Sequence, residues 1–195
     1  DDVRHWQALG RPICLIDLQV LRQNTAQPVS ATPLPEASGT ITPPSDLPWR
    51  QREIKTMLFA DMVGFSRLRE DETPKFFVRF LGAIKREIDR SPRPPVFGNT
   101  WGDGLYLVFD ACADGADFAL RLRDGIAAID WPAIGLPADM SIRIGMHTGP
   151  VFRGLDPIIR RDGFFGAHVT RAARIEPVTA RGSVYVTEQM AAALA

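Results

Sequence analysis

Two aspartates stand where carboxylates can do chemistry. Asp61 closes an apolar run, IKTMLFADM (54–62), and the small turn Met62-Val63-Gly64-Phe65-Ser66 follows it. A carboxylate at such a junction offers an oxygen ligand beside a row of free backbone N–H groups. That combination holds a hard divalent cation next to a polyphosphate. Asp103 lies between Gly102 and Gly104, at the tip of a hairpin expected over VFGNTWGDGLYLVF (96–109). With the first strand and the hairpin adjacent in one sheet, the two carboxylates converge and can share two Mg²⁺ or Mn²⁺ ions about 3.5–4 Å apart. Each aspartate also has a plainer reading, Asp61 as an N-cap and Asp103 as a turn residue. The pair on neighbouring elements points to metal.

A second region, 153–181, carries Arg153, Arg160, Arg161, Arg171, Arg174 and Arg181 against Asp156, Asp162 and Glu176. Thr170 and Arg174 are four apart, so on a helix they share one face and can reach one ligand. Arg160, Arg161 and Arg181 read as a solvated charge run. His147 sits among apolar strand residues and is expected to be a hydrogen-bonded structural histidine. His168 is expected in the first turn of a helix, exposed.

The elements that must carry these residues alternate. The run 54–62 suits a strand buried on both faces. Thr73-Pro74 reads as an N-cap and first turn, before a helical stripe through Phe76, Phe77, Phe80, Leu81, Ile84 and Ile88. After the hairpin come a helix over 114–129, a strand over 141–149 with Ile142, Ile144 and Met146 inward, and a helix over 167–176 ended by Pro177. A strand at 183–187 and an Ala-rich helix complete the chain. This order predicts an α+β fold, a ferredoxin-like βαββαβ core with an extra helix and strand at the C-terminal end. Residues 150–166 have no obvious home in such a core and are expected to form an arm that reaches a second copy across a two-fold axis.

Residues 31–48 hold five prolines and read as a linker. Before it, Asp2 to Leu9 reads as a short helix and 14–22 as a buried strand running into a helix. Residues 1–30 are therefore expected to be the tail of an upstream α/β domain or an N-terminal extension, with the main domain over 49–195. The chain opens at Asp1, which suggests a piece of something longer.

Composition narrows the function. Of 195 residues, 45% are hydrophobic and 24% charged, which suits a soluble globular protein. Lys+Arg and Asp+Glu both number 23, so bulk attraction to nucleic acid is not expected. No apolar run is long enough to span a membrane. With two cysteines and three scattered histidines, neither a disulfide framework nor a Cys/His zinc site is expected, and the cytoplasm is the default compartment.

Four segments, FADMVGFS (59–66), WGDGLYLVF (101–109), IRIGMHTGPV (142–151) and FGAHVTRAARIE (165–176), resemble the class III nucleotidyl cyclase catalytic domain, the adenylate/guanylate cyclase family. They occur in the family's order and near its spacings. The resemblance implies an enzyme that converts a nucleoside triphosphate, ATP by default, to the 3′,5′-cyclic nucleotide and pyrophosphate. It implies a homodimer with two sites at the interface, one protomer supplying metal ligands and the other base recognition. Asp61 and Asp103 match the metal ligands, with the backbone carbonyl of Met62 as a third. Val63, Gly64, Phe65 and Ser66 match the triphosphate cradle, and Arg174 the arginine that stabilises the transition state.

Three positions depart from the family pattern. The adenylate cyclases place a purine-reading lysine where this chain has Asn99. The partner base-reading position, usually Asp, Thr or Cys, is Gly163, and the ribose-orienting asparagine is Thr170. The family's phosphate-binding lysine belongs to a strand beyond Ala195. The metal half is therefore intact and the base-reading half rewritten, which predicts weak discrimination among bases. Two other readings follow: a cyclase-homology domain that binds nucleotide or dimerises as a regulatory module, and an unrelated metal-dependent polyphosphate enzyme.

Overall fold

The computed structural model describes residues 15–17, 51–156, 158 and 160–195. The predicted helix Asp2–Leu9 and the linker 31–48 lie outside them. Seven strands form one sheet in the order β1-β7-β5-β2-β4-β3, with β6 paired to the far end of β5. They are β1 (Leu15–Asp17), β2 (Gln51–Val63), β3 (Phe97–Trp101), β4 (Gly104–Phe109), β5 (Ser141–Asp156), β6 (Arg161–Phe165) and β7 (Val184–Thr187). Among the described residues four helices join them: α1 (Thr73–Arg90), α2 (Cys112–Ala127), α3 (Ala167–Ala173) and α4 (Glu188–Leu194).

The core is the expected βαββαβ unit. β2 lies between β4 and β5 and is antiparallel to both. β7 is added parallel to β5, and β1 runs antiparallel along β7 from Leu15 opposite Thr187 to Asp17 opposite Tyr185. The strand anticipated from residue 14 onward thus joins the edge of this sheet.

Alternation along the strands sends side chains to two packed layers. Leu58, Ala60 and Met62 of β2, Leu105, Leu107 and Phe109 of β4, and Ile142, Ile144 and Met146 of β5 meet α1, α2 and α4 in the larger cluster. Met57, Tyr106 and Val108 face the other side, with Val151, Phe164 and Ala172. Both faces are covered, so every residue of β4 is buried.

Several boundaries differ from expectation. β2 and β5 are longer than the apolar runs that announce them, because pairing with each other carries them past their hydrophobic cores, from Gln51 opposite Arg153 to Val63 opposite Ser141. Thr73 is the first helical residue of α1 rather than its cap: its hydroxyl donates to Arg69 O (3.1 Å), and the Glu72 carboxylate accepts from Arg69 N (2.8 Å). α3 stops at Ala173, short of Pro177, which falls in a separate 3₁₀ turn, Glu176–Val178. The stretch 150–166 is a hairpin arm of β5 and β6, from Phe152 opposite Phe165 to Asp156 opposite Arg161.

Candidate active site

The β2 and β4 register sets Ala60 opposite Leu105, so Asp61 and Asp103 follow at the same end of adjacent strands. The turn that delivers Asp103 is tight: Gly102 sits at φ 61°, a left-handed conformation that favours glycine. Burial, the hydrogen bond with Asp61 and the Asp61 charge together push the Asp103 carboxyl up to about 6, partly offset by the backbone N–H groups of Asp103 and Met62. Two carboxylates crowded this way favour a cation between them.

The chain places a cation of its own there. Arg143 lies opposite Asp61 across the β2–β5 pair, and its Nη2 donates to Asp61 Oδ2 at 2.8 Å. Its Nε is in ion-pair contact with Glu176 Oε1. Burial raises the Glu176 carboxyl, Arg143 opposes that rise, and the Asp61 and Asp103 charges add to it. The result is an acidic cluster around one guanidinium.

The cradle expected over Val63–Ser66 leaves β2 directly. Gly64 has φ 103° and begins a 3₁₀ turn, Phe65–Arg67. A Cβ at Gly64 would approach Arg67 Nη2 and Met140 Sδ to 3.1 Å, so both conformation and space select glycine. The first N–H groups of such a turn have no partner within it and point outward. Arg67 pairs with Asp139, which ties the turn to the loop before β5.

α3 and the 3₁₀ turn lie against β5 through glycines. A Cβ on Gly145 would overlap the backbone of Ile175 and Glu176, and one on Gly149 would overlap the His168 ring. Beneath α3, His147 is fully buried, as expected, with Nδ1 2.7 Å from Thr187 Oγ1 and Nε2 2.7 Å from His168 Nδ1. His168 is not the exposed residue anticipated: it is half-buried, and its ring lies nearly in the plane of the His147 ring, edge to edge through that hydrogen bond. Thr170 and Arg174 are exposed at the end of α3, and the Arg174 N–H bonds Thr170 O at 3.2 Å, so they occupy successive turns of one face.

The base-reading positions form a separate group. Asn99 lies mid-β3, opposite Tyr106, and Gly163 lies in β6, opposite Gly154. Gly163 is buried, and a Cβ there would come within 2.8 Å of the Phe165 ring. The missing side chain is thus space already taken by an aromatic ring. Arg161 reaches Asn99 from the arm, with Nη2 3.1 Å from Asn99 Oδ1. Among the described residues, then, the structure brings Asp61, Met62, Val63 to Ser66 and Asp103, the residues expected on the metal side, to one sheet end. It sets Gly163 in the arm with Asn99 on β3 joined to it through Arg161, and Thr170 with Arg174 at the end of α3.

Three residues of these clusters escaped sequence reasoning. Arg143 alternates with Ile142 and Ile144, and setting that strand antiparallel to β2 is what opposes it to Asp61. Glu176 looked like a helix-terminal residue, and Arg161 like part of a solvated run.

The fold is thus an α+β sheet with two aspartates at one end, a glycine turn beside them and an arginine at the end of α3. The adenylate and guanylate cyclase catalytic domain family matches residues 48–195, and the chain belongs to that family. Among curated relatives, guanylate cyclase soluble subunit beta-2 of Rattus norvegicus is 31% identical over 134 residues, covering 64% of this chain and 19% of the subunit. The chain spans 23% or less of the length of the curated relatives it matches. Among solved structures, the guanylyl cyclase Cya2 superposes with a TM-score of 0.66 at 22% identity, covering 74% of this chain and 80% of that one. The adenylyl cyclase CyaB from P. aeruginosa superposes with a TM-score of 0.66 at 18% identity, covering 74% and 81%. These likenesses establish the fold. No helix among the described residues is long and apolar enough to cross a membrane.

Proposed function

We propose that this domain converts a nucleoside triphosphate to its 3′,5′-cyclic nucleotide and pyrophosphate, with two divalent cations, at the interface of a homodimer. The observation that carries this reading is the convergence of Asp61 and Asp103 beside the Gly64 turn. The residues fit a cation. Burial and the neighbouring Asp61 carboxyl raise the Asp103 pKa, and the Arg143 guanidinium already fills a cationic place against Asp61.

Asp61, Asp103 and the Met62 carbonyl would hold Mg²⁺ or Mn²⁺. The bound ions supply Lewis-acid chemistry, lowering the pKa of the ribose 3′-hydroxyl and neutralising phosphate charge. The chain's own residues do the rest. N–H groups of the Val63–Ser66 turn orient the triphosphate, and Arg143 lies where it can trade its carboxylates for a phosphate oxygen. In the reaction the 3′-oxygen bonds to the α-phosphorus, the bond to the β-phosphate bridging oxygen breaks, and the hydroxyl proton passes to solvent. Arg174 meets the negative charge that gathers on the α-phosphate oxygens, and Thr170 holds the ribose. Asn99 and Gly163 flank the base.

Purified domain incubated with Mn²⁺ and each of the four triphosphates, with cyclic product read by mass spectrometry, tests this. Cyclic product is expected. Metal-dependent nucleotide binding without product would make the domain a regulatory module, and no binding would remove the nucleotide reading.

A further inference from the structure

The positively charged group missing from position 99 has a replacement two residues from Gly163. Arg161 donates through Nη2 to Asn99 Oδ1 at 3.1 Å and to Gly98 O at 3.3 Å. Its guanidinium carbon lies 5.4 Å from the centroid of the Phe97 ring. A guanidinium has donors only, so the amide oxygen of Asn99 must face it and the amide NH₂ is turned elsewhere. Phe97 gives the planar cation an aromatic seat, which limits its rotamers. Arg161 and Gly163 occupy alternate positions on β6 and so share a face. With no carboxylate at 163 and the oxygen of Asn99 engaged, what this cluster offers a base is N–H donors.

We infer that Arg161 is a specificity-determining residue, which with Asn99 selects a base edge carrying two adjacent hydrogen-bond acceptors. This rests on the nucleotide reading of the site. Guanine presents such an edge at O6 and N7, and cytosine at O2 and N3. Adenine and uracil alternate donor and acceptor along their edges and leave one donor of the pair unmatched. On this inference the site prefers GTP, or CTP, over ATP and UTP, where the rewritten positions alone predicted weak discrimination.

The test uses the full chain with Mn²⁺ and two readouts. One is cyclic product from each triphosphate. The other is displacement of a fluorescent triphosphate by each of four analogues whose α,β-bridging oxygen is a methylene, which bind without cyclising. The wild type is expected to favour guanine or cytosine over adenine and uracil by about tenfold or more, since one paired contact to a base edge is worth that order of discrimination. Arg161→Gln and Arg161→Ala should both flatten the preference, and Arg161→Lys should restore only part of it, while circular dichroism melts stay unchanged. Equal affinity for all four bases in the wild type overturns the inference, as does a preference that survives Arg161→Ala and Arg161→Gln. Selective binding without product sinks the cyclase reading and leaves the inference standing. A failure of every analogue to bind sinks both.

Discussion

Arg174 and Asp61 are expected to fail differently when removed. Arg174 is proposed to act on charge that develops only in the transition state, so Arg174→Ala should lower turnover about 10²–10³-fold while analogue affinity stays within a few-fold of wild type. Asp61→Ala should remove metal-dependent binding and turnover together; retention of wild-type turnover in Arg174→Ala would disprove its assignment. His147 lends itself to a pH measurement. Burial, then the neighbouring His168 and Arg171 charges, pushes its pKa down from 6.5 to about 4. The unfolded chain binds a proton at 6.5 and the folded protein does not until about 4, so the domain loses stability as pH falls through that window. Between pH 7 and pH 4.5 the wild type should lose about 2 kcal/mol more than His147→Gln in urea unfolding. Parallel losses would mean that the imidazole is not held neutral. At this scale the aspartates were legible because their types and neighbours announce them. Arg143 was not, because its meaning comes from the strand opposite.

α3 is a short helix whose seat is cut into β5 by Gly145 and Gly149. A methyl at Gly145 would meet the backbone of Ile175 and Glu176, which cannot yield as a side-chain tip can. Gly145→Ala should therefore lift the Glu176 turn, cost about 1–3 kcal/mol of stability and lower activity. In Gly82→Ala the added methyl meets only Arg86 Nη1 at 3.6 Å, so that helical substitution should stabilise by up to about 1 kcal/mol. Equal unfolding midpoints for the two variants would refute this account of how α3 is seated. The arm bears on engineering of the base site. Gly163→Asp meets the Phe165 ring at 2.8 Å, so Asn99→Lys with Gly163→Asp gains its contact only if that ring swings away. Helix and strand identities were readable from period and breakers. Their ends were not: β5 runs on to Asp156 because β2 and then β6 supply partners, not because its own sequence is apolar there.

For the whole molecule, Arg161 joins Gly163 of the β6 arm to Asn99 of β3, and the proposed two-fold would bring this group to a partner's aspartates. An isologous two-fold would place each protomer's arm beside its partner's aspartates twice over. Asp61→Ala and Arg174→Ala homodimers should each be inactive. Mixed in equal amounts and allowed to exchange, they should regain about a quarter of wild-type activity, since half the dimers hold one intact site of two. Sedimentation should show a monomer–dimer equilibrium in the high micromolar range. A strictly monomeric domain with full activity would overturn the shared site.

The sequence by itself determined the α+β class, the element order, the sheet-facing pattern of β2, β4 and β5, and the placing of Asp61 and Asp103 at one end of neighbouring strands. All of these depend on local properties: side-chain period, glycine and proline placement, and the residue types beside a turn. Tertiary structure decided what depends on partners distant in the chain. It set Arg143 against Asp61 and Glu176, bonded His168 to His147 under α3, laid the Phe165 ring over Gly163, and brought Arg161 to Asn99. A residue's type states which bonds it can make, but register and packing across the sheet decide which group stands within reach to make them with.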